Sequence, residues 1–156
     1  MSSRTPAADR LPPLPYASLY AGREFDAQQF PVTPELVRAY VALTGDDNPL
    51  YDDARAARAA GLDGPAMPPG LAGVWARRSY LARHRMLPGG VMAGQQLAFT
   101  AAVPVGETLT LSARVAEHEP DDPRRRVLLA CEAHTAAGAR AGAVTIDARW
   151  PEGDGR

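Results

Sequence analysis

The chain changes its hydrophobic period once, at Gly90, and that change constrains its fold more than any other feature. Before it, apolar residues recur at helical spacing. Thr33-Pro34 reads as an N-cap followed by proline at the first helical position, Leu36, Val37, Tyr40, Val41 and Thr44 follow on one face, and Gly45 stops the run. A second, alanine-rich helix is expected from Asp52 or Asp53 to Ala60, with acids at the positive end of its dipole and Gly61 beyond its end. Pro65 to Pro69 forces an irregular segment. A third helix is expected from Gly70 to about His84, with Leu71, Val74 and Trp75 on one side and Leu81 later, until Pro88-Gly89-Gly90 breaks it.

After Gly90 the period is two. Leu97, Phe99, Ala101 and Val103 form one alternating row, and Leu109, Leu111, Ala113 and Val115 a second. Val127, Leu129, Cys131 and Ala133 form a third, and Val144, Ile146, Ala148 and Trp150 a fourth. Pro104-Val105-Gly106, residues 119–125 and Ala137-Gly138-Ala139 supply the turns. Ahead of the first helix, Arg23 to Phe30 is expected to form a short irregular strand or loop. Helices first and a curved antiparallel sheet afterwards make an α+β domain. A sheet with one apolar face needs a cover, and the helix expected over Gly70–His84 is the element suited to it.

The 156 residues suit one domain, divided here into a disordered proline-rich tail over residues 1–15 and a folded domain over 16–156. A formal charge of -1 offers no field for nucleic acid or anionic lipid. The single Cys131 excludes an internal disulfide framework and any multi-cysteine metal site, and it reads as a small hydrophobe in a strand. No run approaches the roughly 20 apolar residues of a membrane span, and the proline-rich start has no apolar core of a secretory signal. No membrane partner is expected, and the cytoplasm follows as the expected location. The dispersed His84, His118 and His134 suggest no metal site, and no phosphate loop or nucleophile elbow is present.

The chemistry-bearing segment is Gly45-Asp46-Asp47-Asn48-Pro49-Leu50-Tyr51, clamped between the first two helices. Together with Leu87-Pro-Gly-Gly-Val-Met-Ala-Gly-Gln-Gln-Leu-Ala-Phe and Val105-Gly-Glu-Thr-Leu, in that order, it resembles the MaoC-like (R)-specific enoyl-thioester hydratases and dehydratases. The resemblance runs from Thr33 to Trp150 and implies a hotdog fold, an antiparallel sheet wrapped around a long central helix. It implies addition of water to a 2-enoyl thioester, or its removal from an (R)-3-hydroxyacyl thioester, on coenzyme A or an acyl carrier protein, with no cofactor and no metal. Asp46 matches the family's catalytic aspartate and Asn48 the residue that shapes the loop. Tyr51 stands where the family has a histidine, a departure shared with a subgroup that includes domains related to fungal-type fatty acid synthase and non-catalytic subunits of heterodimeric dehydratases.

A phenol with an ordinary pKa of about 10 donates a proton or hydrogen bond at neutral pH but is a poor base, so proton traffic would fall mainly on Asp46. The family's oxyanion donor is a backbone amide at the start of the central helix. The matching positions are Pro68 and Pro69, which lack an amide hydrogen, so Gly70 or Leu71 becomes the expected donor, with Pro69 beside it. Read without the family, Asp46 caps the second helix or its own loop, and Tyr51 is a packed aromatic. Arg77, Arg78, Arg83, His84 and Arg85 read as a solvated helix face or as a contact for phosphates, and Arg124 to Arg126 as a charged hairpin tip. The resemblance further implies a homodimer, or a heterodimer in which a degenerate subunit stabilises a catalytic hotdog partner.

Overall fold

The computed structural model describes residues 11–151. Its elements follow in the order β1 (Gln28–Pro31), α1 (Pro34–Thr44), α2 (Ala54–Ala59), α3 (Leu71–Leu81), β2 (Val91–Phe99), β3 (Thr108–His118), β4 (Arg126–His134) and β5 (Arg140–Arg149). The five strands form one antiparallel sheet in the order β1-β3-β4-β5-β2.

Period two sets the sheet's inner face. Leu111 pairs with Ala133, Ala113 with Cys131 and Val115 with Leu129, while Leu129 pairs with Ile146 and Cys131 with Val144. Directly opposed residues share a face, so three of the four expected rows become one apolar surface, and its residues are buried. Across it lies α3, which buries Leu71, Ala72, Trp75, Ala76, Ser79 and Tyr80 and packs on β1, β3, β4 and β5.

The antiparallel sheet and its covering helix match the expected hotdog-like α+β architecture, but the sheet does not wrap a long helix. The helix is shorter than the expected Gly70–His84: Gly70 is its N-cap and Ala82 its C-cap. Val74, expected on the packing side, is exposed at the rim. Five strands spaced about 4.8 Å apart span roughly 19 Å, wider than a helix of about 10–12 Å. The cover therefore runs out at β2. Leu97 opposes the buried Val144 across the β2–β5 ladder, yet it is 42% exposed, and Phe99 is 50% exposed. The expected Leu97–Val103 row is accordingly no core strand. Strand β2 starts earlier, at Val91, carries a bulge between Met92 and Gly94, and ends at Phe99, while Val103 is buried beyond it.

The proline-rich start departs from a tail at its inner end. Leu14 is fully buried, its N–H donates to the Arg85 carbonyl at 3.1 Å, and its carbonyl accepts from the Trp150 indole at 2.7 Å. A buried apolar side chain, its backbone held by two hydrogen bonds, docks where composition alone predicts none. Residues 1–10 of the expected tail lie outside the described residues. Where a strand was expected as an alternative to a loop, β1 pairs with β3, and Glu24 bridges Arg114 just before it.

Candidate active site

The loop between α1 and α2 is built by local chemistry. Thr33 accepts from the Leu36 N–H at 3.1 Å to start α1, and Gly45 ends it in the left-handed conformation at φ 69°. Asn48 Oδ1 accepts from the Leu50 N–H at 3.0 Å and so caps a single 3-10 turn, Pro49–Tyr51. Asp53 Oδ1 accepts from the N–H groups of Arg55 and Ala56 at 2.7 and 3.1 Å and caps α2. The helix cap is thus Asp53 and not Asp46. Asp46 keeps only a long contact of 3.4 Å from the Asn48 N–H, and its carboxylate is exposed.

The turn capped by Asn48 brings Tyr51 near Asp46, Asn48 and Tyr40. Burial raises the Tyr51 phenol above its ordinary pKa, the Asp46 charge and the pull of that carboxylate on the hydroxyl raise it further, and Asn48 opposes them. Tyr51 is only partly buried and packs against the core edge, so the aromatic packing and the polar setting coexist. At neutral pH it is a protonated donor facing a carboxylate.

Beside this pair opens a mainly apolar cavity of about 370 Å³, within the roughly 300–1,000 Å³ of small-molecule sites. Asn48, Leu50 and Tyr51 form one wall, Leu62, Ala66, Met67 and Pro69 a second, and residues 99–103 a third. The walls are stitched together: the Ala66 N–H donates to the Leu50 carbonyl at 2.9 Å and the Met67 N–H to the Val103 carbonyl at 2.7 Å.

The first turn of α3 narrows the expected donors. Leu71 is buried and its N–H donates to the Pro68 carbonyl at 3.0 Å, while the Ala72 N–H donates to the Pro69 carbonyl at 3.0 Å. Of the two expected positions only Gly70 is exposed, and no backbone hydrogen bond among the described residues engages its N–H. Sequence reasoning missed Tyr40 here, having assigned it only to the apolar stripe of α1. Its hydroxyl lies against Gly70, in the space a side chain at Gly70 would fill.

The basic segments stand apart. Arg83 pairs with Asp26 at 3.1 Å, Arg126 with Glu117 and Asp147 at 2.9 and 3.0 Å, and no arginine lines the cavity. Among the described residues no group of three or more His, Cys, Asp or Glu gathers to hold a metal, and no helix is long and apolar enough to cross a membrane.

Comparison with known proteins agrees with this architecture. The chain matches the model of the FAS1-like, dehydratase domain region over residues 20–138. The R-hydratase PhaJ1 from Pseudomonas aeruginosa superposes with a TM-score of 0.74 and 26% identity, covering 89% of this chain and 86% of that one. The (R)-hydratase from A. caviae involved in PHA biosynthesis gives 0.72 and 25%, covering 86% and 98%. The HadBC (3R-hydroxyacyl-ACP dehydratase) complex from Mycobacterium tuberculosis shares the fold, with a TM-score of 0.72 at 19% identity over 82% of this chain and 95% of that one. No curated protein matches the sequence. The chain belongs to the FAS1-like dehydratase domain family.

Proposed function

We propose that the chain is a hydro-lyase for an acyl thioester, carried on coenzyme A or an acyl carrier protein, and that its substrate is an intermediate of a specialised biosynthetic pathway. One observation carries the reading: a carboxylate, Asp46, and a protonated phenol, Tyr51, face each other where an apolar cavity meets the start of α3. Two similar structures, PhaJ1 from Pseudomonas aeruginosa and the enzyme from A. caviae, are (R)-hydratases, which supports it.

In the hydration direction the Asp46 carboxylate takes a proton from water as the hydroxyl adds to C3. The electron pair of the C2–C3 double bond moves toward the thioester carbonyl, whose oxygen takes the enolate charge. Tyr51 then gives its proton to C2, and the proton on Asp46 passes to the phenolate, so one water is added and both groups return to their starting state. The pair has no short hydrogen bond at rest, and such bonds commonly tighten only in the substrate complex. Asn48 holds the turn that aims Tyr51, Pro69 walls the acyl chain, the Gly70 N–H meets the thioester oxygen, and Leu71 anchors the helix behind it. A panel of 2-enoyl and (R)-3-hydroxyacyl thioesters tests this. Turnover is expected to disappear in Asp46→Asn, and unchanged turnover in that variant removes the mechanism.

The open flank at β2 supports pairing with a second copy, because Val91, Met92, Leu97 and Phe99 are exposed on an edge strand. The same strand's end walls the cavity, so a partner there would close the site. A second reading draws on two other observations: the absent amide hydrogens of Pro68 and Pro69, and a phenol at position 51. In it the chain is a non-catalytic hotdog subunit that binds an acyl group and stabilises a catalytic partner. Purification from the native cell separates the two, since an active homodimer contradicts the second reading and a stable heterodimer with an intact Asp/His subunit contradicts the first. A cytoplasmic setting is part of either proposal.

A further inference from the structure

The hydroxyl of Tyr40 is the polar group at this corner that the mechanism leaves unused. Helix α1 presents it one turn beyond Leu36 and Val37, so the ring packs against the core while its para position reaches the start of α3. There it meets Gly70 closely. A Cβ built on Gly70 would collide with the Tyr40 hydroxyl and lie 3.0 Å from the ring carbon that bears it. Glycine at position 70 is therefore what lets a phenolic hydroxyl stand against the first residue of the α3 entrance, the residue whose N–H is free. Neither group is spent elsewhere: among the described residues the Tyr40 side chain makes no hydrogen bond, and no backbone bond engages that N–H. Tyr40 is also near enough to act on the Tyr51 phenol, so both tyrosines belong to one polar corner.

We propose that the Tyr40 hydroxyl and the Gly70 N–H together bind the thioester carbonyl oxygen, Tyr40 supplying the donor that Pro68 and Pro69 withhold. This rests on the thioester reading above and deepens it. Two converging donors polarise the carbonyl and hold the enolate oxygen when charge develops on it, whereas a lone amide would leave one lone pair unmatched. The division of labour is then clear: Tyr40 touches the carbonyl oxygen, Tyr51 serves C2, and Asp46 serves the water at C3. Tyr40 does not exchange a proton in the cycle.

The test is Tyr40→Phe, which keeps the ring and removes the hydroxyl. The probe is a 2,4-dienoyl-CoA, whose absorption moves to the red when its carbonyl is hydrogen-bonded, with butyryl-CoA as a saturated control. The wild type is expected to bind the dienoyl probe with a red shift. The variant is expected to lose half or more of that shift while butyryl-CoA affinity stays within about threefold, and to lose about 10²–10³-fold in kcat with little change in KM, the scale of one oxyanion donor. An undiminished shift and kcat in Tyr40→Phe overturns the inference, as does a wild type that binds the probe with no shift. A red shift that depends on Tyr40 without any turnover supports the inference and defeats the hydro-lyase reading instead. Failure of the wild type to bind either thioester overturns both.

Discussion

The phenol at position 51 holds its proton above the ordinary pKa of 10.0, through burial first and the neighbouring Asp46 charge second. Across pH 6–9 it is a donor, and the proposed cycle uses it as one. Tyr51→Phe is therefore expected to cost about 10²–10⁴-fold in rate, with acyl binding nearly intact because the ring still lines the cavity. Unchanged turnover in that variant would reduce Tyr51 to a packing residue. How legible this corner was in the sequence depended on the range of each interaction. Thr33, Gly45 and the Asp52/Asp53 helix start could be read because a cap acts within three residues, and Asn48-Pro49 because it makes its own turn. That Asp53 takes the cap and leaves Asp46 exposed is decided by which carboxylate reaches the first amides, which spacing alone left open. Tyr40 was not legible as a site residue at all. Its contact with Gly70 joins positions thirty apart, and within α1 it looks like any apolar-face aromatic.

At the scale of elements, the rows on β3, β4 and β5 alternate because each has one buried face, and those strands fall where the alternation lies. Strand β2 is different. At the rim of the helix's cover, where of its residues only Gln95 is half-buried, Val91 to Phe99 carries no alternating burial, and a bulge at Ala93 shifts its phase, so its start could not be read from alternation. Its exposed apolar residues are the strongest physical argument for a second subunit. A lysine at Leu97 or Phe99 is expected to convert a species of twice 16.6 kDa to one chain in light scattering, with secondary structure retained. Because Phe99 also walls the cavity, Leu97→Lys is the cleaner variant for asking whether dissociation alone removes activity. A wild type that runs as a single chain at micromolar concentration would contradict the pairing.

The molecule as a whole has one packed face between α3 and the sheet, and two titratable groups are sealed in it. Burial pushes Tyr80 up to about 12 from 10.0 and Cys131 to about 11 from 9.0. Well below pH 9 both hold their protons folded or unfolded, and their full contribution to stability is present. As pH rises, the unfolded chain ionises first at Cys131 and then at Tyr80, and the folded state loses about 2–3 kcal/mol from each by the time their folded values are passed. The urea midpoint is expected to fall steadily between pH 9 and 12, beginning about one unit later in Cys131→Ala; a flat profile would mean that these groups are not sealed. The same packed face positions the start of α3 against the loop from α1, so the chemistry depends on the whole fold being closed. That chemistry is tested most directly by incubating a 2-enoyl-CoA with the protein in D2O and weighing the product. The account predicts a (R)-3-hydroxyacyl thioester with one deuterium fixed at C2 from the wild type and none from Asp46→Asn. Equal deuterium incorporation by both would contradict it.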